Sequence, residues 1–355
     1  MLYVALFLFA WAAVLAADSA PPLRRIAGPM VATAALALAA LRGYSTDYDG
    51  YVELFDAMVQ FDLPYPERLF LAKEPLMSLL IDGILWLQAG PQWMFVIMAL
   101  LSTLMKQRLF ARLYRGDTAA AWAVTLSLTF FLHEFTQSRV AIAIAACFLA
   151  LVAVLEGRRR DWLAWCLFGL CWHLSTLLFL ALSSVLWLAP RWRLLGAAVV
   201  TAGICVVMLV AFDWLGSIDL RVAEYGSDAG AAAGVSALAL TITVAKLAML
   251  AAMARWLVQA PVSRALQPLI LPTLGMVACG LVMLVVLRNA SSVIAFRFYE
   301  FFDAFAVFIV AGALLQRRPL PVLTALAYCT LGIALQILPD LFKDFVFAPW
   351  SRYVG

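Results

Sequence analysis

Two apolar stretches of this chain open on arginine, Ser138-Arg139-Val140-Ala141 and Ala295-Phe296-Arg297-Phe298. A cation at the first turn of a helix faces the positive end of the helix dipole, so helix stability alone does not explain it. One reading is a side chain that snorkels to anchor the helix at an interface. The other is an anion clamp, because a guanidinium stays charged in any surroundings and meets phosphate oxygens in a fixed fork. Two such arginines on different helices and one face suggest a diphosphate, with Arg288 and Arg221 in polar segments on the same side. The second signal is His173, one of two histidines, set in a run with no Asp, Glu, Lys or Arg from Trp162 to Ala189. It is either a hydrogen-bonding link between packed helices or a group that takes a proton from, or positions, a ligand hydroxyl. Asp47 and Glu74 are solvated charges, sugar-hydroxyl acceptors or an alternative base. Asp49, Tyr51, His133, Glu134, Ser175, Tyr299 and Glu300 complete a polar and aromatic set suited to a polyhydroxylated ligand such as a sugar. No zinc spacing, phosphate-cradling glycine loop or Ser-His-Asp order is present, so neither a metal nor a cofactor is expected.

The elements that must hold these residues are set by composition. Hydrophobic residues make up 66% of the chain and charged residues 13%, which is about half the usual charged share and marks a polytopic membrane protein. Apolar runs fall at 2–17, 27–42, 75–88, 92–105, 118–133, 139–156, 162–189, 194–212, 236–256, 268–287, 297–315 and 319–338. Barrel-type alternation is absent, and backbone groups in hydrocarbon must pair within their own segment. The expected fold is therefore all-α, a helical bundle of about twelve spans, within a range of about eleven to fourteen. The net charge of +4 is concentrated in loops, where it orients the chain and gives no reason to expect a nucleic-acid partner. The six cysteines lie inside apolar runs without paired spacing and read as small core residues. Residues 2–17 lack a basic leader and read as a first membrane helix.

Placing the basic groups Lys106 to Arg115, Arg158-Arg159-Arg160, Arg191 with Arg193, Arg255 to Arg264 and Arg317-Arg318 on the cytoplasmic side makes the loops alternate only if 162–189 is a helical hairpin. Its apex falls near His173-Leu174-Ser175, on the outer side with the polar loop 133–139 and the segment 288–297. The first third balances if 75–88 is a re-entrant half-helix, which is tolerated at membrane depth only beside protein or a wet cavity. The whole of 1–355 is expected to be one integral membrane domain, with an acidic outer loop at 43–74 and a second outer loop at 213–235.

Several features recur in one order. They are Arg42 followed by Asp47, Tyr51 and Phe55; Glu74 before Pro75; Arg139 and Ala143 opening a long helix; His173 and Ser175; and Arg297 with Tyr299 and Phe301. In that order the chain resembles the EpsG family of Wzy-type polysaccharide polymerases, which make O-antigen, capsule or exopolysaccharide. Two positions depart from the usual pattern, Val140 where a polar residue is common and Leu174 where proline often stands. The resemblance implies a GT-C-like, metal-independent glycosyltransferase in the bacterial inner membrane, its active site facing the periplasm. It would transfer a growing glycan from undecaprenyl diphosphate to the non-reducing end of the next lipid-linked oligosaccharide. Donor and acceptor lipids, the bilayer, a chain-length regulator and a flippase are the implied partners. Arg139, Arg297, Arg288 and Arg221 would hold the diphosphate, and His173, Asp47 or Glu74 would serve as base or acceptor-positioning group. A glycosyltransferase using polyprenyl monophosphate sugars and a flippase for lipid-linked oligosaccharide are the competing classes.

Overall fold

The computed structural model describes residues 2–43, 45, 47–60, 67, 74–218, 236–260 and 262–337. Most of the outer loop expected at 213–235, including Arg221, lies outside the described residues. All regular structure among the described residues is helical. The first helices are α1 (Leu2–Ser19), α2 (Arg24–Ala40), α3 (Tyr48–Gln60), α4 (Pro75–Trp86), α5 (Gln92–Leu113) and α6 (Ala119–Thr125), which continues as a π-helix over Leu126–Thr136. There follow α7 (Ser138–Leu155), α8 (Arg159–Trp172), α9 (Thr176–Ser184), α10 (Pro190–Ile218) and α11 (Ala237–Gln259). The last are α12 (Ile270–Leu287), α13 (Ser292–Asp303), α14 (Val307–Leu315) and α15 (Pro319–Ile337).

Among the described residues the apolar runs read from the sequence fall largely on helix, and six helical segments are long and apolar enough to cross a membrane. They are α5, α7, α10, α11, the stretch Gln267–Leu287 and the stretch Val293–Leu315, while parts of α1, α4, α9 and α15 form shorter apolar helices. At 12 residues α4 spans about 18 Å, short of a bilayer core of about 30 Å. It starts where Pro75 confines Glu74 to extended backbone (φ −128°, ψ 130°) and takes the first helical position itself. The run 162–189 is broken at His173, which is extended (φ −164°, ψ 133°) between α8 and α9. Gly169 permits the break to close up, since a Cβ there would lie 3.0 Å from the Thr176 hydroxyl oxygen.

Three expectations need correcting. The acidic segment 43–74 is not all loop, because α3 occupies its middle with Tyr51, Phe55 and Met58 buried on one face and Asp49, Glu53 and Asp56 exposed on the other. This is the pattern of a helix lying along a polar-apolar boundary. Lys106 is not a loop cation, because α5 runs on to Leu113 and turns the lysine inward, 2% exposed. Arg297 does not open its helix, because Ser291 caps α13 by accepting from the Ile294 N–H and leaves Arg297 in mid-helix.

The helices group into two compact units, Met1–Ala153 with Arg158–Leu177 and Gly332–Gly355, and Val154–Gly157 with Leu178–Leu331. In the first, α2 packs against α1, α5 and α6, and Gly28 brings α2 onto the chain at Thr118. Tyr3 of α1 donates to the Leu126 carbonyl at 2.6 Å, tying α1 to the start of the π-helix. A second cluster joins α3, α4, α5, α7 and α8 through Tyr51, Phe55, Met77, Phe95, Ile142 and Trp172. In the second unit α12 packs on α13, where Gly280 lies against Phe302, and also against α10 and α11.

The helix contact at Gly28 is testable. A Cβ there would fall 1.8 Å from the Thr118 hydroxyl oxygen and 2.8 Å from the Ala119 backbone nitrogen. Gly28→Val is expected to lower stability by about 1–3 kcal/mol or more, read as a drop in thermal midpoint in detergent. Gly83→Ala, on α4 with nothing within 4 Å of the new methyl group, should leave the midpoint unchanged or slightly raised.

Candidate functional site

The first unit gathers charge around Tyr51. The ring is held by Phe95, edge to face at 5.7 Å between centroids, and Tyr48 stacks on the same phenylalanine at 5.0 Å. Two guanidiniums converge on Tyr51. Arg139 lies 5.1 Å from the ring centroid, and its Nε donates to the tyrosine hydroxyl at 3.3 Å. Arg42 lies 5.9 Å from the same ring and 4.3 Å above Phe95, where the ring faces attract a cation. Like charges on one aromatic group need counter-charge nearby. Glu74 supplies it by forming an ion pair with Arg139, and Asp47 adds an attraction on Arg42.

Local sequence explains how each group arrives. Glu74 is fixed by the following proline at the head of α4. Arg139 sits in the first turn of α7, where Ser138 donates its hydroxyl to the Glu134 carbonyl at 3.1 Å and closes the junction with the π-helix. The same carbonyl accepts from Arg42 at 3.1 Å. Gln92 at the start of α5 donates to the Arg42 carbonyl at 3.4 Å and also to the Ala40 carbonyl. Burial pushes the Arg42 guanidinium down to about 10, against the pull of Tyr51, Asp47 and Tyr48, so it remains a cation at neutral pH. Arg42 is wholly buried, whereas the Arg139 side chain is 24% exposed.

Further buried charge among the described residues of this unit lies on α5 and the π-helix. Glu134, expected at an exposed loop, is 3% exposed within the π-helix, and its carboxylate pairs with Lys106 of α5. His133 beside it is 2% exposed, so neither residue is a solvated loop side chain. Among the described residues no set of three His, Cys, Asp or Glu side chains is gathered as a metal site would need.

A family model described as the EpsG family matches residues 25–340, a range that takes in all of these groups. The chain belongs to the EpsG family. This is a Wzy-like polysaccharide polymerase family, and the membership gives the chain a polysaccharide-polymerase type of role in a multi-pass membrane protein. Neither the curated proteins nor the solved structures compared with the chain provide a match.

With the EpsG pattern in view, the expected site residues sort by place. Arg139, Glu74 and Tyr51 come together, and Asp47 lies within electrostatic reach of Arg42, while Asp49 points outward from α3. His173 follows Trp172, which packs in the same cluster as Tyr51 and Ile142, and Ile142 is one turn on from Arg139. The His173 Nδ1 accepts from the Ser175 backbone N–H at 3.2 Å, so in its neutral form the ring carries its proton on Nε2. This arrangement suits positioning better than proton abstraction. Arg288, Arg297, Tyr299 and Glu300 belong to the second unit. Arg288 caps the C-terminal end of α12, where a cation suits the helix dipole, and Arg297 is exposed on α13. Tyr299 is 1% exposed and donates its hydroxyl to Asp303 at 3.3 Å. Asp303 also accepts from Tyr328 at 2.6 Å and pairs with Lys246 of α11.

Lys106, Lys246 and Asp303 were absent from the expected site, and Arg42 was singled out only as part of the family-like series, without a role of its own. For Lys246 the signal was present in the sequence, because it is the lone charge between Ala237 and Ala254, and an isolated ionisable residue in a membrane segment marks a paired or functional position.

Two outcomes follow. Removing the Tyr51 hydroxyl alone (Tyr51→Phe) leaves the ring under both guanidiniums but takes one of the two acceptors that hold Arg139, and should cut polymer formation by roughly tenfold at normal protein abundance, the equivalent of about 1.4 kcal/mol. Lys106→Met strands the Glu134 carboxylate and should cost about 3–5 kcal/mol in unfolding measurements in micelles. The pair Lys106→Met with Glu134→Gln should recover most of that loss.

Proposed function

We propose that the Tyr51 cluster is where this polymerase binds the diphosphate of an undecaprenyl-diphosphate-linked glycan and transfers that glycan to the next lipid-linked repeat. The reaction breaks the bond between the anomeric carbon and the diphosphate oxygen and joins that carbon to a hydroxyl of the acceptor's non-reducing end. It needs a cation where charge develops on the leaving diphosphate and a base for the hydroxyl proton. The observation that carries the reading is the partly exposed Arg139, held between the Tyr51 hydroxyl and the Glu74 carboxylate.

In this scheme the diphosphate takes the Arg139 guanidinium from Glu74. Phosphate offers more acceptor oxygens and more charge than a carboxylate, and the displaced Glu74 then accepts the acceptor's proton. Arg42 keeps Tyr51 in place and adds positive potential from behind. His173, as an Nε2 donor, orients an acceptor oxygen, and Asp47 binds sugar hydroxyls. The leaving group is undecaprenyl diphosphate, and the proton ends on Glu74. The reading further places the site at the periplasmic face of the inner membrane, within a bundle of about twelve spans. A flippase and a chain-length regulator would be its pathway partners.

The test is complementation of a host that lacks its own polymerase and accumulates single-repeat glycolipid. Arg139→Ala and Glu74→Gln should each reduce long polymer by about a hundredfold or more at normal protein abundance, while Arg139→Lys should recover only part, since a point charge replaces a fork. Long polymer at wild-type level from either Arg139→Ala or Glu74→Gln would overturn the assignment. Incorporation of single sugars from polyprenyl monophosphate donors by the purified protein would favour the other glycosyltransferase class.

A further inference from the structure

The second unit holds a cavity that the polymerase reading does not use. Its main walls are α10 and α12, which begin side by side and run in the same direction. Leu271 and Pro272 share the cavity with Pro190 and Arg193, while about two turns further on Cys279 neighbours Thr201 and Cys205. The end of α9 and the turn after it add a third wall through Leu182 and Leu186. Gly196 lets that turn close on α10, because a Cβ there would lie 2.8 Å from Leu188 and 3.0 Å from Val185. Gly275 has the opposite effect: a Cβ there would meet nothing within 4 Å, so the α12 wall is left hollow. The resulting cavity of about 450 Å³ is of the size that takes a ligand. Leu194 and Leu271 at its mouth are 84% and 68% exposed, so it opens sideways on a surface that lipid chains cover.

We propose that this cavity binds one glycerophospholipid, with an acyl chain lying between α10 and α12 and its phosphate on the Arg193 guanidinium. Arg193 lies in the first turn of α10, at the mouth, and its Nε donates to the Leu188 carbonyl at 3.1 Å, which fixes the guanidinium there. No lining residue is acidic, and no carboxylate among the described residues pairs with Arg193, so the two amino groups of the fork are left to meet an anion. Beyond Arg193 the lining is apolar from Leu271 to Cys279, about 12 Å along the helix, which suits a hydrocarbon chain and offers a sugar almost nothing to bond. Arg193 is the one cation of the lining, which matches the single negative charge of a phosphodiester, whereas a diphosphate brings more charge than one guanidinium offsets. The cavity lies wholly within the second unit, and its binding can be read without any polymerase assay.

Native mass spectrometry of the purified protein would count retained lipids after mixing with phosphatidylglycerol or with diacylglycerol of the same chains. Wild-type protein is expected to hold one phosphatidylglycerol, to release diacylglycerol, and to keep the phospholipid when an equal amount of undecaprenyl phosphate is added. Arg193→Gln should weaken phosphatidylglycerol retention about fivefold, the weight of one cation near a membrane surface. Gly275→Leu fills the hollow without altering charge and should weaken retention by at least as much, which keeps the test open if the arginine variant fails to fold. Gly203→Leu makes the same substitution on the exposed side of α10, where a Cβ also meets nothing within 4 Å, and should leave retention unchanged. Retention of diacylglycerol equal to that of phosphatidylglycerol, displacement of the phospholipid by undecaprenyl phosphate, wild-type retention by Arg193→Gln or Gly275→Leu, or a dimer that carries no lipid would overturn the proposal.

Discussion

A charge drawn out of water inside a membrane protein must meet its opposite within the protein, and much of this architecture is arranged around that requirement. Arg139 with Glu74, Lys106 with Glu134 and Lys246 with Asp303 each join residues from different helices. In each case the partners are distant in sequence, and the helices between them must be in place before the pair can form. Such pairs add little net stability relative to apolar packing, but breaking one strands a buried charge, and that asymmetry fixes which helix faces which.

The three pairs differ in what else they touch. Lys246 and Asp303 are almost wholly buried, and the two tyrosines that donate to Asp303 leave the group turned in on itself. Lys106 and Glu134 are equally buried, yet the Glu134 backbone carbonyl receives Arg42 and Ser138, so this pair holds the floor beneath the site. Only Arg139 combines a buried carboxylate partner with partial exposure. That difference sets Arg139 apart from the two pairs whose members are all buried.

Much of the helical layout was legible in the sequence, because hydrophobic run length and breakers act locally. The interruption at His173 and the short helix after Glu74 were both expected from the placement of basic groups along the chain, and Pro75 supplies the local reason for where that short helix starts. Arg139, Glu74 and Tyr51 were identifiable by residue type, but their convergence was not, since nothing local encodes which face of α7 meets α3 and α4. Lys106 misled because its neighbours Arg108 and Arg112 do face outward, and only the rotation of α5 separates it from them. Arg297 misled for the reverse reason: the uninterrupted apolar run begins there, while the cap at Ser291 starts the helix earlier.

The π-helix over Leu126–Thr136 gives the segment before α7 an unusual kind of control. Its wide turns take up more residues than α turns of the same length, and its end sets the phase in which α7 begins. Loss of a single residue there would not simply shorten a connection. It would turn the start of α7 by roughly a quarter of a turn and carry Arg139 away from Tyr51 while leaving the helix itself intact. Chain length in this segment therefore acts as an angular setting for the cationic group, adjustable in steps of one residue without any change to the side chains of the site.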